Sequence, residues 1–338
     1  MRIEENISLQ PFNTFGIGET AAYFCEASTM EQVRLALAFA KEKGLEKLIL
    51  GSGSNILFTR PFDGLILHIN NKGIEVLSED EEQVVVRVAA GENWHQLVMT
   101  SLKNGWYGME NLSLIPGSVG AAPIQNIGAY GVEVRQFVRA ITYLDSETCQ
   151  PEHILAEQCN FGYRDSIFKH ELKGRAIIWA VEFTLHKNPA PKTEYGDIRK
   201  VLEDKGIGHP GPHDIAEAVI AIRRSKLPDP AEIGNAGSFF KNPVVVRNIF
   251  EQIKIQFPEV PSYPAGSDTV KIPAGWLIEK AGWKGRRFGS HGVHERQALV
   301  IVNYGGASGN DILRLSQDIQ ADILQKFGIQ LQAEVNMV

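Results

Sequence analysis

The sequence has few cysteines, no long apolar run and no basic block. Its three cysteines, Cys25, Cys149 and Cys159, match neither a zinc spacing nor a disulfide framework. No apolar run approaches the roughly 18 residues that cross a bilayer. The opening residues, MRIEENISLQPF, lack the apolar segment of a signal peptide. These absences favour a cytoplasmic chain with reduced thiols and no membrane insertion.

Acidic residues outnumber basic ones, 40 to 34, which gives a formal net charge of −6. A protein that binds the nucleic-acid backbone normally carries a basic stripe, and this sequence has none. The nine histidines form no H-E-x-x-H motif. We therefore expect no nucleic-acid partner and no metal.

The length and the composition fit a clefted globular protein. At roughly 150 residues per domain, 338 residues favour two domains or three small ones. Hydrophobic residues make up 43% and charged residues 22%, close to the globular average. The best candidate boundary is the proline-broken segment 186–192, HKNPAPK. Helical and strand patterns are mixed rather than strictly alternating, so the predicted class is α+β.

Capping residues and hydrophobic periodicity predict the main elements. Ser28 with Glu31 predicts a capping box for a helix over about 29–43. Asn93 with Gln96 predicts a helix that ends near 104. The remaining predicted helices cover 212–226, 248–256 and, after Ser308 and Asp311, about 308–326. Predicted strands cover 48–50, 64–69, 84–89, 138–144, 176–185, 298–302 and the alternating tail up to 337.

A glycine- and serine-rich turn, GSGSNIL at 51–57, follows the first predicted strand. Glycines let backbone N–H groups crowd a phosphate, and the serine hydroxyls add donors. The third glycine of the dinucleotide-binding fingerprint is missing, and an apolar run rather than a helix follows. An ordinary turn is therefore the alternative interpretation.

A second loop of small residues, LIPGSVGAAPIQNIGAYG, covers 114–131. It is too apolar for a linker and too rich in glycine and proline for a helix, and long packed loops are usually functional. Two such loops suit a large diphosphate-bearing ligand, with Gln125 and Asn126 able to hydrogen-bond a heteroaromatic rim. Tight packing between subdomains is the alternative, because it also requires small residues.

Three further polar residues stand in distinctive segments. Ser238 lies beside Gly237 in NAGSFFKNP, but without a G-x-S-x-G elbow it does not indicate acyl transfer. Arg164 lies in GYRDS, and Glu334 lies on the polar face of the alternating tail. Taken singly, each has an ordinary explanation, namely a turn, a surface ion pair and the solvated side of a strand.

Taken together and in order, these motifs resemble the UDP-N-acetylenolpyruvoylglucosamine reductase (UDP-N-acetylmuramate dehydrogenase) family, first type. The matching stretches run from NTFGIG at 13–18 to QAEV at 332–335. The resemblance implies a two-subdomain FAD-binding half of the vanillyl-alcohol-oxidase (PCMH) type, about 16–188, and a separate α+β substrate-binding domain. The implied domains are 1–68, 69–210 and 211–327, with a last strand over 328–338 that returns to the FAD-binding half.

The resemblance also implies an activity. FAD, bound non-covalently and reduced by NADPH, would convert UDP-N-acetylglucosamine enolpyruvate to UDP-N-acetylmuramate in cytoplasmic peptidoglycan precursor synthesis. The partners would be this sugar nucleotide and NADPH, and we expect a monomer. The alternatives are an oxidase of the same flavin fold that acts on an alcohol or sugar, and a non-enzymatic UDP-sugar-binding module.

By the same resemblance, the family's functional positions fall into three groups. The catalytic residues would be Arg164, Ser238 and Glu334. The cofactor-binding residues would be Gly51, Ser52, Gly53, Ser54, Asn55, Ile115, Pro116, Gly117, Ser118, Gly120, Ala121, Gln125, Asn126, Gly128 and Ala129. The substrate-binding residues would be Tyr195, Arg223, Lys226, Asn242, Lys271, Lys284 and Gln297. The segment 258–269 matches the family poorly, which affects only peripheral substrate contacts.

Overall fold

The computed structural model describes residues 2–195 and 197–338. Its helices are α1 (Met30–Glu42), α2 (Trp94–Lys103), α3 (Ile198–Asp204), α4 (Pro212–Lys226), α5 (Arg247–Gln256), α6 (Ala274–Lys280) and α7 (Gly309–Phe327). Its strands are β1 (Glu4–Ser8), β2 (Thr20–Ala27), β3 (Lys47–Leu50), β4 (Ile56–Leu57), β5 (Phe62–Ile69), β6 (Ile74–Glu79), β7 (Gln83–Ala89), β8 (Gly128–Ala129), β9 (Val132–Glu133), β10 (Val138–Asp145), β11 (Pro151–Leu155), β12 (Ala176–His186), β13 (Gly234–Ser238), β14 (Val244–Val246), β15 (Tyr263–Pro264), β16 (Thr269–Lys271), β17 (Arg287–Phe288), β18 (His291–Val293), β19 (Val300–Asn303) and β20 (Asn336–Met337). No helix in these two ranges is both long enough and apolar enough to cross a membrane.

The described residues form two compact units, each assembled from separate stretches of chain. The first unit comprises 2–7, 21–52 and 62–225, and the second comprises 8–20, 53–61 and 226–338. The domain limits inferred from the sequence stay a prediction.

The first unit contains two main sheets. One has the order β1-β2-β5-β3, in which β2 and β3 each pair with β5 in parallel. The other is antiparallel, with the order β11-β10-β12-β7-β6. Strand β5 reads as a nearly continuous apolar run because most of its residues are buried, as is typical of central parallel strands.

The helix starts show how far capping signals are reliable. Asn93 caps α2 as predicted, since its side chain accepts a hydrogen bond from the backbone N–H of Gln96 at 3.0 Å. The predicted cap of α1 is wrong by one residue. Thr29 is the cap, and Gln32 rather than Glu31 completes the capping box. The reason is that Gln32 stands three residues after Thr29, where its side chain reaches the backbone N–H of the cap.

The second unit contains the sheets β13-β19-β18-β17 and β14-β16-β15, together with the short pair β20-β4. The capping box of Ser308 and Asp311 at the start of α7 is confirmed. The predicted strand over 328–338 is much shorter, and only β20 is a strand. The tail changes partner on the way: Glu334 N–H donates to Phe239 O at 2.8 Å, and Val338 N–H donates to Leu57 O at 3.0 Å.

Glu110 is a buried carboxyl group of the first unit, and its burial has a testable consequence for stability. Glu110 is 2% exposed, and its Oε2 accepts a hydrogen bond from Gly108 N–H at 2.6 Å. Burial raises the pKa of this carboxyl above its ordinary value. The unfolded chain therefore ionises first as the pH rises, so folding loses stability between the unfolded and the folded pKa.

We expect Glu110→Gln to raise the melting temperature at pH 7.5 and to change it little at pH 4, because the amide removes only the cost of ionisation. Thermal unfolding at the two pH values measures this. Glu182→Gln is the matched control: Glu182 is equally buried but pairs with Arg87 at 2.9 Å, so its loss should not stabilise at either pH. An equal shift for Glu110→Gln at both pH values would contradict the explanation.

Candidate functional site

In the first unit, Gly51 lies against the predicted cofactor loop 114–131. A Cβ built on Gly51 would lie 2.5 Å from Ser118 Oγ and 3.9 Å from Ala121 Cβ. A Cβ built on Gly120 would lie 2.6 Å from Ala90 Cβ. Because any side chain at these positions would displace its neighbours, only glycine lets the backbones approach so closely. The structure thus brings Gly51 and the first part of the loop together.

Two side chains hold the start of this loop. Leu114 has a φ of 58°, a left-handed conformation that costs a non-glycine residue energy. Its N–H donates to His95 Nδ1 at 3.0 Å, and its carbonyl accepts from Arg223 Nε at 3.2 Å. Burial lowers the pKa of His95, as do the charges of Arg224 and Arg223, which keeps Nδ1 available as an acceptor. Arg223, expected at the substrate, contacts the cofactor loop.

Arg164 is fixed on the later part of the same loop. It too has a left-handed backbone, with a φ of 54°. Its guanidinium donates to Gly128 O at 2.7 Å and to Asn126 O at 3.4 Å, and it lies 5.5 Å from the ring centroid of Tyr163. These two acceptors are neutral carbonyls, and they orient the guanidinium on the loop.

The side chain of Asn126 serves the loop itself. Asn126 is fully buried, and its Nδ2 donates to Gly162 O at 2.8 Å and to Glu133 Oε2 at 3.1 Å. Its Oδ1 accepts from Arg135 N–H at 3.1 Å. The amide therefore ties the cofactor loop to the segment that carries Arg164. We expect any contact of Asn126 with a cofactor to come from its backbone.

In the second unit, hydrogen bonds to the backbone of Glu334 and Phe239 bring Ser238, Glu334 and Asn55 together. Phe240 and Ala333 form an antiparallel bridge, and Glu334 N–H bonds the carbonyl of Phe239, the neighbour of Ser238. Asn55 Nδ2 donates to Glu334 O at 3.2 Å. Two predicted catalytic residues and one predicted cofactor residue are thus held on adjoining backbones.

Residues 13–18, which served only as a family signature in the sequence, have a structural function here. Thr14 N–H donates to Gly53 O at 3.1 Å, and Thr14 O accepts from Asn235 N–H at 2.9 Å. Gly53 has a φ of 63°, and a Cβ on it would lie 2.0 Å from Phe12 O. Thr14 therefore braces the glycine turn against the strand that ends at Ser238. Sequence reasoning missed this role, and a polar residue inside the NTFGIG motif is its only signal.

The predicted substrate residues fall into several places. Asn242 Oδ1 accepts from Ala274 N–H at 2.9 Å, at the start of α6, and Gln297 Oε1 would lie 3.3 Å from a Cβ on Gly275. Lys271 pairs with Val244 in the adjoining sheet. Lys284 is not part of this group, because it follows α6 at the far end and its Nζ bonds Glu279 Oε1 at 2.9 Å.

The remaining substrate candidates lie at the ends of segments. Tyr195 belongs to the first unit, and its Cβ and Cδ2 would lie 3.5 Å from a Cβ on Gly131. Lys226 is the exposed last residue of α4 and belongs to the second unit. Among the residues that the structure describes, no three His, Cys, Asp or Glu side chains are grouped so as to hold a metal ion.

Residues 229–338 match the family described as UDP-N-acetylenolpyruvoylglucosamine reductase, C-terminal domain. Residues 21–148 match the FAD binding domain family. The chain is 49% identical over 334 residues to the UDP-N-acetylenolpyruvoylglucosamine reductase of Pseudomonas putida, which covers 99% of this chain and 98% of the relative. It is 47% identical to the enzyme of the same name from Flavobacterium johnsoniae, with 100% of both chains covered.

Solved structures show the same architecture. The crystal structure of UDP-N-acetylenolpyruvylglucosamine reductase from Thermus caldophilus superposes with a TM-score of 0.68 at 24% identity, covering 100% of this chain and 99% of the other. Substrate-bound p-cresol methylhydroxylase gives a TM-score of 0.52 at 13% identity, covering 98% and 84%. The predicted fold class is confirmed: α+β, with an FAD-binding part of the p-cresol methylhydroxylase type.

The residues of the first unit fit FAD. Gly51 brings the glycine turn against the loop without an intervening side chain, Gly120 lets the loop approach Ala90, and Arg164 adds a cation oriented by the same loop. These features together with the similarities above assign the chain: it belongs to the UDP-N-acetylenolpyruvoylglucosamine reductase family of FAD-containing oxidoreductases.

Proposed function

We propose that this chain uses NADPH to reduce UDP-N-acetylglucosamine enolpyruvate to UDP-N-acetylmuramate in the cytoplasm, a step of peptidoglycan precursor synthesis. The net reaction adds the hydride of NADPH to the methylene carbon and a proton to the neighbouring carbon, and it releases NADP⁺. When bound, FAD would accept this electron pair from NADPH and transfer it to the sugar nucleotide. The observation that carries the proposal is the guanidinium of Arg164 fixed on two carbonyls of the cofactor loop.

Arg164 stabilises negative charge in this proposal. Reduction of the methylene carbon leaves electron density on the neighbouring carbon and its carboxylate. Donors that are oriented before the reaction lower the energy of such charge without reorganisation, which is where electrostatic catalysis is strongest. The carbonyls of Asn126 and Gly128 provide that orientation, since they fix the guanidinium at 3.4 and 2.7 Å.

Ser238 and Glu334 complete the proton transfer. Ser238 donates a proton to the carbon that carries the developing charge. Glu334 either orders the substrate carboxylate or shares a proton with it. Support comes from the backbone bond between Glu334 and Phe239, which fixes Glu334 beside the strand that ends at Ser238. A hydroxyl is a weak acid, so this step requires a strongly basic carbanion, as the reaction provides.

The remaining site residues bind the cofactor and the substrate. Gly51 to Asn55 and the loop positions from Ile115 to Ala129 hold FAD, mostly through backbone N–H groups. Tyr195, Lys226, Asn242, Lys271 and Gln297 hold the UDP-sugar, and Arg223 and Lys284 have weaker support because both are engaged elsewhere. We further propose that the chain acts as a monomer with domain limits near 68 and 210.

The direct experiment incubates the purified protein with the enolpyruvyl UDP-sugar and NADPH and looks for UDP-N-acetylmuramate by mass spectrometry. Formation of the product with one NADPH oxidised per sugar supports the proposal. Rapid oxygen uptake with a sugar alcohol would favour the oxidase, and sugar binding without NADPH oxidation would favour a binding module.

Non-covalent attachment of the flavin gives a first prediction. Neither predicted cofactor loop, 51–57 or 114–131, contains a histidine or cysteine that could form a covalent link. Acid precipitation should therefore release the yellow colour into the supernatant, measured by its visible absorbance. Colour retained in the pellet would contradict the prediction.

Lys226→Ala should affect substrate binding more than turnover. An ammonium group is a compact charge suited to a diphosphate, and the RRSK sequence places two arginines beside it. Steady-state kinetics should show a KM for the UDP-sugar raised at least about tenfold, with kcat within about threefold, as expected when binding common to ground and transition states is lost. Lys254→Ala is the control, since Lys254 is an exposed lysine of α5 in the same unit. A kcat that falls by orders of magnitude at constant KM would place Lys226 among the catalytic residues.

A further inference from the structure

The segment 187–195, which follows β12 and carries Tyr195, is held on the first unit by hydrogen bonds near its start, among them Lys187 N–H to Glu82 O at 2.8 Å. At its start, Tyr107 and His186 exchange backbone hydrogen bonds of 2.7 and 3.1 Å. Residues 188–192 are exposed, and beneath them lies a cavity of about 150 Å³ lined by Glu110, Phe137 and Ala190 among others. Dense packing therefore does not fix the path of this segment, and individual hydrogen bonds matter more.

One buried amide supplies such bonds. Asn111 is 1% exposed, and its Nδ2 donates to Lys192 O and to Tyr130 O, each at 3.1 Å. Both amide hydrogens are thereby used. Lys192 lies three residues before Tyr195, and Tyr130 lies at the end of the cofactor loop. The side chain of Asn111 therefore joins two segments that the sequence separates by about 60 residues.

The two segments also meet at Tyr195 itself. A Cβ on Gly131 would lie 3.5 Å from Tyr195 Cβ and Cδ2, so the tyrosine rests on the residue that follows Tyr130. Tyr130 has a φ of 48°, which is unfavourable for a non-glycine residue and requires support from its surroundings. Asn111 gives that support through the Tyr130 carbonyl. The Asn111 amide thus fixes both the backbone at Tyr130, next to the residue on which Tyr195 rests, and the backbone at Lys192, which leads to Tyr195.

We propose that Asn111 is a positioning residue for the UDP-sugar, because it holds Tyr195 in its binding position at the end of the cofactor loop. The proposal rests on the proposed role of Tyr195 in binding that substrate. A further hydrogen bond of this segment joins Lys192 Nζ to Gln136 Oε1 at 2.9 Å. Because the lysine side chain is exposed, this bond should contribute little to the position of Tyr195.

The test uses Asn111→Leu, which removes both donors at similar volume, and Asn111→Asp, which keeps the shape and has no donor when ionised and one when protonated. We expect either variant to raise the KM and the calorimetric Kd for the UDP-sugar about tenfold, the loss expected from one or two hydrogen bonds. The rate at which NADPH bleaches the bound flavin should stay within about twofold, because that half-reaction does not use Tyr195. Amide hydrogen exchange over 187–195 should become faster.

The double variant separates positioning from general damage. In a Tyr195→Ala background, Asn111→Leu should leave the Kd unchanged, because its effect passes through the tyrosine. The control is Ser146→Ala, which removes a part-buried side-chain bond to Gly174 O at the other end of β10, about 30 Å along the strand from Phe137. It should lower the melting temperature without changing the Kd.

Two results would overturn the proposal. A folded Asn111→Leu or Asn111→Asp variant with an unchanged Kd would overturn the proposal, as would full additivity with Tyr195→Ala. If Asn111→Leu fails to fold, Asn111→Asp carries the same comparison. If the wild-type chain does not turn over the UDP-sugar, the proposed function fails. The hydrogen-exchange comparison then still decides whether Asn111 holds the segment.

Discussion

Ser238→Ala should slow reoxidation of the reduced flavin by the enolpyruvyl sugar at least about 100-fold, the range for loss of one positioned acid or base. Bleaching of the flavin by NADPH should stay nearly unchanged, because that half-reaction moves no proton to a substrate carbon. Stopped-flow absorbance measures both rates separately. A difference of this size between two half-reactions at one site is difficult to produce by general destabilisation.

The surroundings of Ser238 make alanine a conservative change. Ser238 ends β13 and is half-buried, and the left-handed φ of 69° in this turn belongs to Gly237, not to Ser238. Ser238→Cys should recover part of the rate, since a thiol is a stronger acid than an alcohol and can also donate. If alanine slowed both half-reactions equally, Ser238 would hold the loop or the flavin rather than protonate the substrate.

Arg164→Lys should lower the oxidative rate by about 100- to 1,000-fold, the size of effect seen when one oriented donor to a developing charge is lost. Lysine retains the charge, but its single ammonium cannot bond Gly128 O and Asn126 O while presenting further planar donors. Pre-steady-state reoxidation with the UDP-sugar measures the effect, and the Kd for the sugar reports whether binding is preserved.

Arg135→Lys is the matched control for this substitution. Arg135 belongs to the same unit, is exposed, and donates through Nη1 to Phe161 O at 3.2 Å. It therefore tests loss of an arginine–carbonyl bond without an expected role in the reaction. Equal effects of the two substitutions would show that Arg164 matters for the structure of the loop and not for the charge that develops on the substrate.

Elements with strong periodicity and a cap were predictable from the sequence. Helix α7 follows its capping box and its apolar face, and β7 follows its run of valines. The tail was less predictable: its alternation suggests one strand, but the chain hydrogen-bonds first to Phe239 and then to Leu57. Alternation reports which side chains are buried, and it carries no information on which strand is the partner.

The candidate site was predictable in part and for different reasons. The small residues at Gly51 and Gly120 indicate a close backbone approach, and the structure contains one at each. Arg164 could be selected only by family resemblance, because its acceptors lie 36 and 38 residues away in sequence. Asn111 gave no signal at all, since a single asparagine before a leucine is typical of any turn.

The discontinuous second unit has a consequence for biosynthesis. Asn303 Nδ2 donates to Phe15 O at 2.8 Å, and these two residues lie 288 positions apart in the sequence. Thr14 O accepts from the backbone N–H of Asn235, which is also synthesised much later. At roughly 5–20 residues per second, the ribosome needs about 10–60 s to travel the roughly 220 to 290 residues that separate these partners. During that interval the buried Phe15 and Ile17 have no completed core to enter. The nascent chain is therefore exposed to aggregation for longer than a chain of contiguous domains, and chaperone supply should govern its yield.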